Sequence, residues 1–289
     1  MTAASLYRLT AFSDTAKGGN PAGVWIGEQL PTPAAMQTIA AEVGFSETAF
    51  LAPMQGNHRQ IRYFSPQAEV SFCGHATIAA TAVLGQLNGA GDYRLSSAVG
   101  EVRVRARVDQ DRWQASFRTI TPRQRPLPDG LLDAALRCLH WRRDELEPSI
   151  PPMLAYAGAW HLVLAVRSAE RLSNLDYAFE RLRELMLAHQ LTTLQLVHRR
   201  DTLRFASRNP FPVGGVVEDA ATGAAAAALA GYLRDAGLIA APAHLQIEQG
   251  AEIGRPSFID VSVPEQGGIE VGGLTAWLDA EPEREACHG

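Results

Sequence analysis

Two stretches with the same layout decide how this chain folds. The first is Glu69-Val70-Ser71-Phe72-Cys73-Gly74-His75-Ala76-Thr77, and the second is Glu218-Asp219-Ala220-Ala221-Thr222-Gly223-Ala224-Ala225-Ala226. An offset of 149 residues aligns Gly74 with Gly223 and also aligns the two glutamates that open the stretches. The repeated layout predicts a duplicated fold. It also predicts two helix N-termini, whose unpaired N–H groups suit an anionic small molecule.

Each half is predicted to contain one buried helix, because small residues follow each glycine at helical spacing. These helices cover residues 74–86 and 222–236. Their small side chains indicate that other backbone surrounds them closely, since large residues would not fit. A further helix is predicted to begin at Thr32 and Pro33, an N-cap and first-turn pair, and to end near Gly44.

The remaining chain is predicted to consist mainly of short strands. Further helices are expected at 131–139, 142–146 and 177–189. The predicted strands lie at 6–12, 22–26, 47–51, 60–64, 93–95, 100–108, 113–117, 160–166, 194–198, 202–205, 245–248, 257–263, 270–271 and 275–278. The Pro-rich stretch 121–128 predicts the boundary between a domain of residues 1–120, completed by a last strand at about 272–280, and a domain of residues 121–271.

The bulk composition favours a globular protein with a small-molecule partner. The chain has 289 residues, of which 46% are hydrophobic and 20% charged, and its net charge is −5. This charge gives no electrostatic reason to bind nucleic acid or an anionic membrane, so we expect neither as a partner. The sequence shows no signal peptide and no apolar run of roughly 18 residues. We therefore expect a cytoplasmic protein.

The motifs of common cofactor sites are missing from the sequence. Three scattered cysteines, Cys73, Cys138 and Cys287, form neither a disulfide framework nor the spacing of a zinc site. The chain also lacks the GxGxxG, GxxxxGK[ST], GxSxG and HExxH patterns. The sequence therefore supports neither dinucleotide nor P-loop nucleotide binding, and it supports no metal site.

Three polar residues are candidates for a functional site. Glu47 is a carboxylate at a strand end, flanked by residues with the pattern of partial burial, although such a glutamate is often a plain surface residue. His75, just inside a helix N-terminus, can donate to a bound carboxylate or shuttle a proton, or it can bond a neighbouring loop. Asp219 can cap the second helix, but Thr222 lies closer to the N-cap position, which would free Asp219 for substrate.

Cys73 is a candidate thiol nucleophile, because a helix N-terminus stabilises a thiolate. A cofactor-free racemase of that kind would need a second thiol in the other half, where the matching position holds Thr222. The sequence therefore favours Cys73 as a small packed residue.

Six motifs in order resemble the PhzF-type (phenazine biosynthesis) isomerase family over residues 7–278. The three in the first half include the strand-end glutamate and the first glycine-led helix, and the three in the second half surround the other helix. They are Gly19-Asn20-Pro21-Ala22-Gly23-Val24, Ser46-Glu47-Thr48-Ala49-Phe50, Ile61-Arg62-Tyr63-Phe64-Ser65-Pro66, Cys73-Gly74-His75-Ala76-Thr77, Gly215-Val216-Val217-Glu218-Asp219-Ala220-Ala221-Thr222-Gly223 and Gln249-Gly250-Ala251-Glu252-Ile253-Gly254-Arg255-Pro256.

The resemblance implies an α+β fold of the diaminopimelate epimerase type. In this fold two pseudo-symmetric domains each wrap a curved, mostly antiparallel sheet or barrel around a central helix, and the active site lies between them. The resemblance further implies a homodimer without a cofactor and a proton-moving isomerisation of a small anionic metabolite. The family's best-understood substrate is trans-2,3-dihydro-3-hydroxyanthranilate.

The resemblance also implies roles for individual residues. Glu47 matches the residue that acts as base and then as acid. His75 and Asp219 match polar residues that hold the substrate, while Gly74 and Gly223 match glycines whose backbone amides meet it. Ala224 stands in the substrate-binding turn where the family commonly has serine, so a hydroxyl donor is absent there.

Two alternatives to a single-carboxylate isomerase follow from the same residues. A two-thiol epimerase would use Cys73, but the second thiol is missing. A non-catalytic ligand-binding or interaction protein on the same scaffold is favoured by Ala224 and disfavoured by the presence of Glu47, His75 and Asp219.

Overall fold

A computed structural model describes residues 4–279, which fold into two compact units. The first unit contains residues 4–118 and 272–279, and the second is Thr119–Val271. Among the helices of these described residues, none combines the length and apolar character that crossing a membrane requires.

The first unit consists of strands that surround one helix and carry another outside. Its helices are α1 (Pro33–Val43) and α2 (Gly74–Asn88). Its strands are β1 (Ser5–Ala11), β2 (Asn20–Ile26), β3 (Glu47–Pro53), β4 (His58–Phe64), β5 (Glu69–Val70), β6 (Gly91–Ser97), β7 (Gly100–Asp109), β8 (Arg112–Arg118) and the last strand of the described residues, β17 (Glu270–Trp277). The N-cap at Thr32 and the left-handed C-cap at Gly44 confirm the predicted ends of α1.

Strand pairing closes the sheet of the first unit into a ring. In the order β1-β2-β3-β4-β6-β7-β8-β17, each strand pairs with the next, and β17 also pairs with β1. The pairs β2–β3 and β4–β6 are parallel. The five other pairs with a defined direction are antiparallel, from β1–β2 to β17–β1.

The prediction of two separate strands at 270–271 and 275–278 is wrong, because β17 is continuous. Its central glycine is part of the strand: a Cβ on Gly272 would lie 2.8 Å from the carbonyl oxygen of Ala115 on β8. A glycine inside a strand often marks such a close approach of backbones, so here it continues the strand.

Helix α2 fills the interior of this ring, as its small side chains predict. Every residue from His75 to Gln86 is buried. A Cβ added to Gly85 would lie 2.6 Å from Cζ3 of Trp113 and 2.8 Å from Cβ of Ala106. The indole nitrogen of Trp113 donates a hydrogen bond to Gln86 Oε1 over 2.6 Å. The space at this point of the helix therefore has no room for a side chain.

The second unit repeats the plan of a sheet around a small-residue helix. Its helices are α3 (Leu131–Cys138), α4 (Ala169–Ser173), α5 (Phe179–Ala188) and α6 (Gly223–Asp235). Its strands are β9 (Arg123–Arg125), β10 (Met153–Tyr156), β11 (Trp160–Val166), β12 (Thr193–Arg199), β13 (Arg204–Phe211), β14 (Val216–Asp219), β15 (Ala243–Gln249) and β16 (Ser257–Val263).

The sheet of the second unit runs β9-β10-β11-β12-β13-β15-β16, with parallel pairs at β11–β12 and β13–β15. Helix α6 packs against β9, β10, β11, β12 and β16, and its residues from Ala225 to Leu233 are buried. A Cβ on Gly231 would lie 2.3 Å from Cβ of Pro122. The same limit on side-chain size therefore applies to both central helices.

The Pro-rich stretch 121–128 lies at the start of the second unit, which begins at Thr119. It contains β9, which pairs with β10, and neither strand is predicted by the sequence. The strand predicted at 202–205 is β13, which begins at Arg204 and continues to Phe211. Pro122 is buried and lies close to α6, so the stretch is attached to the core of the second unit at this residue.

A bidentate arginine–glutamate pair occurs in each unit before the central helix. In the first unit Arg62 donates to both carboxylate oxygens of Glu69, each over 2.7 Å. In the second unit Arg208 donates to Glu218 over 3.0 and 2.6 Å. The side chains of the first pair are 28% and 40% exposed, whereas those of the second are 9% and 1% exposed. The duplication thus repeats the contact in a different environment.

The enclosure of α2 predicts that Gly85→Ala destabilises the protein. Alanine is favoured over glycine by about 1 kcal/mol in a helix interior. Overpacking a core costs about 1–3 kcal/mol, and Trp113 blocks the new methyl group. We expect a lower free energy of unfolding in urea for Gly85→Ala. The reverse exchange at the exposed Ala41 of α1, Ala41→Gly, serves as the propensity control and should cost about 1 kcal/mol. A more stable Gly85→Ala protein would contradict the enclosure.

The two arginine–glutamate pairs predict unequal effects of one substitution. Glu218→Ala leaves the Arg208 guanidinium buried without its carboxylate, which costs about 3–5 kcal/mol. Glu69→Ala removes a partly exposed partner and should cost at most about 1 kcal/mol. Urea unfolding of both variants measures the difference. Equal losses would show that burial does not decide the contribution of these pairs.

Candidate active site

The first unit brings three chain segments together at the start of α2. The parallel register of β2 and β3 pairs Ala22 with Glu47, so the beginnings of these two strands lie side by side. Asn20 begins β2, Glu47 begins β3, and Cys73 is the N-cap residue of α2. Polar side chains from sequence-distant segments are thereby gathered within a buried region.

The carboxylate of Glu47 lies at the centre of this group. Its Oε2 atom is 3.2 Å from Nε2 of His75 and 3.5 Å from Sγ of Cys73. The side chains of Glu47 and His75 are 17% and 7% exposed. Glu47 and His75, both predicted as site residues, are therefore brought into contact. The result is a mostly buried carboxylate oxygen that faces two hydrogen-bond donors.

Two further polar residues orient the imidazole of His75. The Asn20 amide nitrogen lies 3.2 Å from Nδ1, and the Ser46 hydroxyl oxygen lies 3.2 Å from Nε2. An amide nitrogen can only donate, so with this amide orientation Nδ1 accepts and the imidazole proton resides on Nε2. The hydrogen bond at Nε2 is to the Ser46 hydroxyl, and Glu47 Oε2 lies 3.2 Å from the same nitrogen. The sequence analysis assigned no role to Asn20 or Ser46, although both stand in the motifs that it quotes.

The thiol of Cys73 contacts the site as well as packing within it. The residue is buried, and its side chain makes no capping hydrogen bond to α2. Its Sγ atom lies 3.4 Å from Nδ1 of His75, in addition to its contact with Glu47. The interpretation of Cys73 as only a small packed residue is therefore incomplete. Cys138 lies in the hydrophobic core of the second unit, where burial raises the pKa of its thiol, and Cys287 lies outside the described residues.

Glu47, Cys73 and His75 together form a potential metal-ligand set, with their donor atoms within 4.8 Å of one another. Sequence spacing could not reveal this set, because Glu47 comes from a different strand.

The second unit gathers a polar group at the start of α6. The Thr222 hydroxyl donates to Oδ2 of Asp219 over 2.6 Å and makes no capping hydrogen bond to the helix. Thr222 occupies the N-cap position, as predicted, but the expectation that this frees Asp219 is wrong, because the Thr222 hydroxyl bonds the Asp219 carboxylate. The Thr222 side chain bonds the carboxylate three residues earlier in the chain, and the backbone angles of Thr222 are φ −115° and ψ 86°.

Gln249, which the sequence analysis did not single out, holds this turn in place. Its Nε2 donates to the Asp219 carbonyl over 2.8 Å, and its Oε1 accepts from the Thr222 backbone N–H over 3.2 Å. The next residue, Gly250, has φ +78°, and a Cβ there would lie 2.5 Å from the carbonyl oxygen of Ala220. The Gln249-Gly250 pair in the sixth motif is the sequence signal that could have indicated this role.

The first turn of α6 offers backbone hydrogen-bond donors but no side-chain donor at Ala224. Gly223 is buried and Ala224 is partly exposed. The first N–H groups of a helix have no partner within the helix, so they suit an anion. The methyl group of Ala224 adds no hydrogen bond.

His161 is the second buried histidine of the described residues, and its environment rules out a role as a base. It is fully buried on β11, with Nδ1 2.8 Å from Thr193 Oγ1. Burial lowers the pKa of His161 to about 3, so it is neutral at ordinary pH. A proton acceptor for catalysis is therefore better sought at Glu47 and His75.

The chain matches known proteins over nearly its whole length. The sequence model of the PhzC-PhzF family, described as phenazine biosynthesis-like protein, matches residues 9–276. The uncharacterised isomerase YddE of Escherichia coli (strain K12) is 30% identical over 271 residues, covering 89% of each chain. The trans-2,3-dihydro-3-hydroxyanthranilate isomerase of Pseudomonas fluorescens is 31% identical over 255 residues, covering 87% of each chain.

Solved structures confirm the expected fold class. A predicted epimerase from Pseudomonas aeruginosa superposes with a TM-score of 0.84 at 27% identity, covering 96% of this chain and 98% of that one. A probable proline racemase from Agrobacterium radiobacter K84 shares the fold with a TM-score of 0.66 at 11% identity, covering 98% and 94%. The protein is an enzyme of the isomerase class, and the chain belongs to the PhzC-PhzF family of phenazine biosynthesis-like proteins.

Proposed function

We propose that this isomerase moves a proton between two carbon atoms of a small carboxylate-bearing metabolite, with Glu47 as the only general acid and base and without a cofactor. The observation that carries the proposal is the position of Glu47 Oε2, mostly buried, 3.2 Å from Nε2 of His75 and accepting a hydrogen bond from the Cys73 thiol. A carboxylate in this setting has one face for hydrogen bonding to the protein and can present the other to a substrate.

The reaction balances without any redox partner. The Glu47 carboxylate removes a proton from one carbon, the double bond shifts, and the neutral carboxylic acid returns the proton to a second carbon. The Cys73 thiol donates to the carboxylate while it is charged, and the His75 imidazole lies beside it. The Asn20 amide holds the imidazole in the tautomer with its proton on Nε2.

The proposed substrate carries a carboxylate and polar substituents. Backbone N–H groups at Gly74 and Gly223 suit the anionic group, because both residues begin helices. The contact of Asp219, Gly223 and Ala224 with substrate is proposed from the family resemblance. The relative from Pseudomonas fluorescens acts on trans-2,3-dihydro-3-hydroxyanthranilate. Ala224 removes a hydroxyl from the turn, so we propose a related acid that needs one hydrogen bond fewer. The homodimer and the cytoplasmic location stay predictions.

Glu47→Gln should lower turnover by about 10²–10⁴-fold, because an amide cannot accept and return the proton. Turnover is measured as deuterium incorporated from D₂O into trans-2,3-dihydro-3-hydroxyanthranilate and related unsaturated carboxylates, detected by mass spectrometry. The matched control is Glu42→Gln, which makes the same exchange at an exposed position of α1 and should leave the rate unchanged. Undiminished incorporation in Glu47→Gln would overturn the mechanism.

A thiol mechanism is the second candidate, and the contact of Cys73 with Glu47 and His75 favours it. The matching position of the second unit opposes it, because Thr222 stands there and its hydroxyl already donates to Asp219. Under the Glu47 mechanism, Cys73→Ala should keep turnover within about tenfold of the unmodified enzyme, whereas loss of a general acid or base costs at least about 10²-fold. The same deuterium assay decides, and a loss as large as that of Glu47→Gln would favour the thiol.

A further inference from the structure

We propose that Glu47, Cys73 and His75 form a Zn²⁺ site, and that zinc bound there inhibits the isomerase. The sequence contains no zinc spacing, and the site arises only because β3 and the N-terminus of α2 meet. Inhibition rests on the proposed role of Glu47, whereas zinc binding does not.

The donor atoms already have the spacing of one face of a zinc tetrahedron. Nε2 of His75 and Oε2 of Glu47 are 3.2 Å apart, Sγ of Cys73 and the same Oε2 are 3.5 Å apart, and Sγ and Nε2 are 3.7 Å apart. Zinc bonds of ordinary length at tetrahedral angles place such donors about 3.4–3.6 Å apart. Sγ also lies 3.4 Å from Nδ1, so the imidazole must rotate to aim Nε2 at a zinc ion bound between these donors.

The charge of the set also suits a divalent cation. The Glu47 carboxylate and a Cys73 thiolate carry two negative charges, which neutralise Zn²⁺, and neutral imidazole is a common third ligand. Partial burial of Glu47 leaves access for the ion, and three protein ligands leave the fourth position to water or to a substrate carboxylate.

Zinc binding at this site is expected to release one proton. The Cys73 thiol loses its proton to solvent, and the His75 proton moves from Nε2 to Nδ1 so that Nε2 can bind the metal. The Asn20 side chain then turns its amide oxygen toward Nδ1–H and accepts from it, which orients the ligand. Zinc affinity should rise about tenfold per pH unit wherever the thiol is protonated in the free protein.

Bound zinc occupies the carboxylate oxygen that the proposed proton transfer uses. The metal replaces the donated hydrogen bond at Oε2, so Glu47 can no longer take up the substrate proton. Zinc should therefore reduce turnover reversibly, and a chelator should restore it.

Direct binding is tested by calorimetric titration of the full-length protein with Zn²⁺, in a Cys287→Ala background that removes the one thiol outside the described residues. We expect one ion per chain. Asn20 hydrogen-bonds a ligand without binding the metal, and loss of such a residue costs about 10–100-fold in affinity, so this range is expected for Asn20→Ala. Cys73→Ala removes a ligand itself and should weaken binding by at least about 100-fold. Cys138→Ala is the matched cysteine control and should bind as tightly as the background. Equal affinities for Cys73→Ala and the background would overturn the site.

Co²⁺ identifies the ligands without reference to activity. The background protein loaded with Co²⁺ should show a thiolate-to-cobalt charge-transfer absorption, which Cys73→Ala should abolish and Cys138→Ala should retain. An absorption that survives Cys73→Ala would place the metal elsewhere and overturn the proposal.

The activity measurement separates the metal site from the proposed function. Zinc should inhibit the background enzyme and spare Cys73→Ala, which keeps Glu47. Zinc binding that depends on Cys73 without inhibition would leave the site standing and contradict the role of Glu47. Inhibition that is equal in both proteins would overturn inhibition through this site.

Discussion

Strands close around α2 on every side, and this enclosure leaves no room for a side chain at Gly85. A methyl group there would meet Trp113 and Ala106, so the surrounding strands fix the position of the helix at this point. Because the helix position is set by packing along its length, its first residues are set too. Cys73 and His75 are thereby held against β3, where Glu47 begins. The geometry of the polar group is a consequence of helix packing.

The two units share this constraint but use their helix starts differently. At α2 the first turn carries an imidazole and a thiol toward a carboxylate from another strand. At α6 the carboxylate of Asp219 precedes the helix and already binds the hydroxyl of Thr222. The arginine–glutamate pairs repeat this divergence, one partly exposed and the other buried. Duplication conserved the backbone plan, whereas the chemistry at each helix start became specialised.

The sequence predicts most of the fold because periodicity and capping are local signals. Both central helices, α1 with its caps, and the strands at Trp160–Val166 and Ser257–Val263 are examples. Prediction fails where a distant partner decides: β9 is a strand because β10 pairs with it, and β17 passes through Gly272 because β8 lies close behind. In the site, residue types identified Glu47 and His75. The roles of Asn20, Gln249 and Thr222 depend on hydrogen bonds across the fold, which no local pattern encodes.

The polar group at α2 joins two kinds of chemistry through one oxygen atom. An oxygen that accepts a hydrogen bond from a thiol and lies beside an imidazole is positioned to exchange a proton with carbon. The same arrangement becomes a ligand set once the thiol proton leaves and the imidazole proton changes nitrogen. The protonation state of Cys73 therefore separates the two chemistries. A residue that takes no part in proton transfer can still determine whether the carboxylate beside it is available.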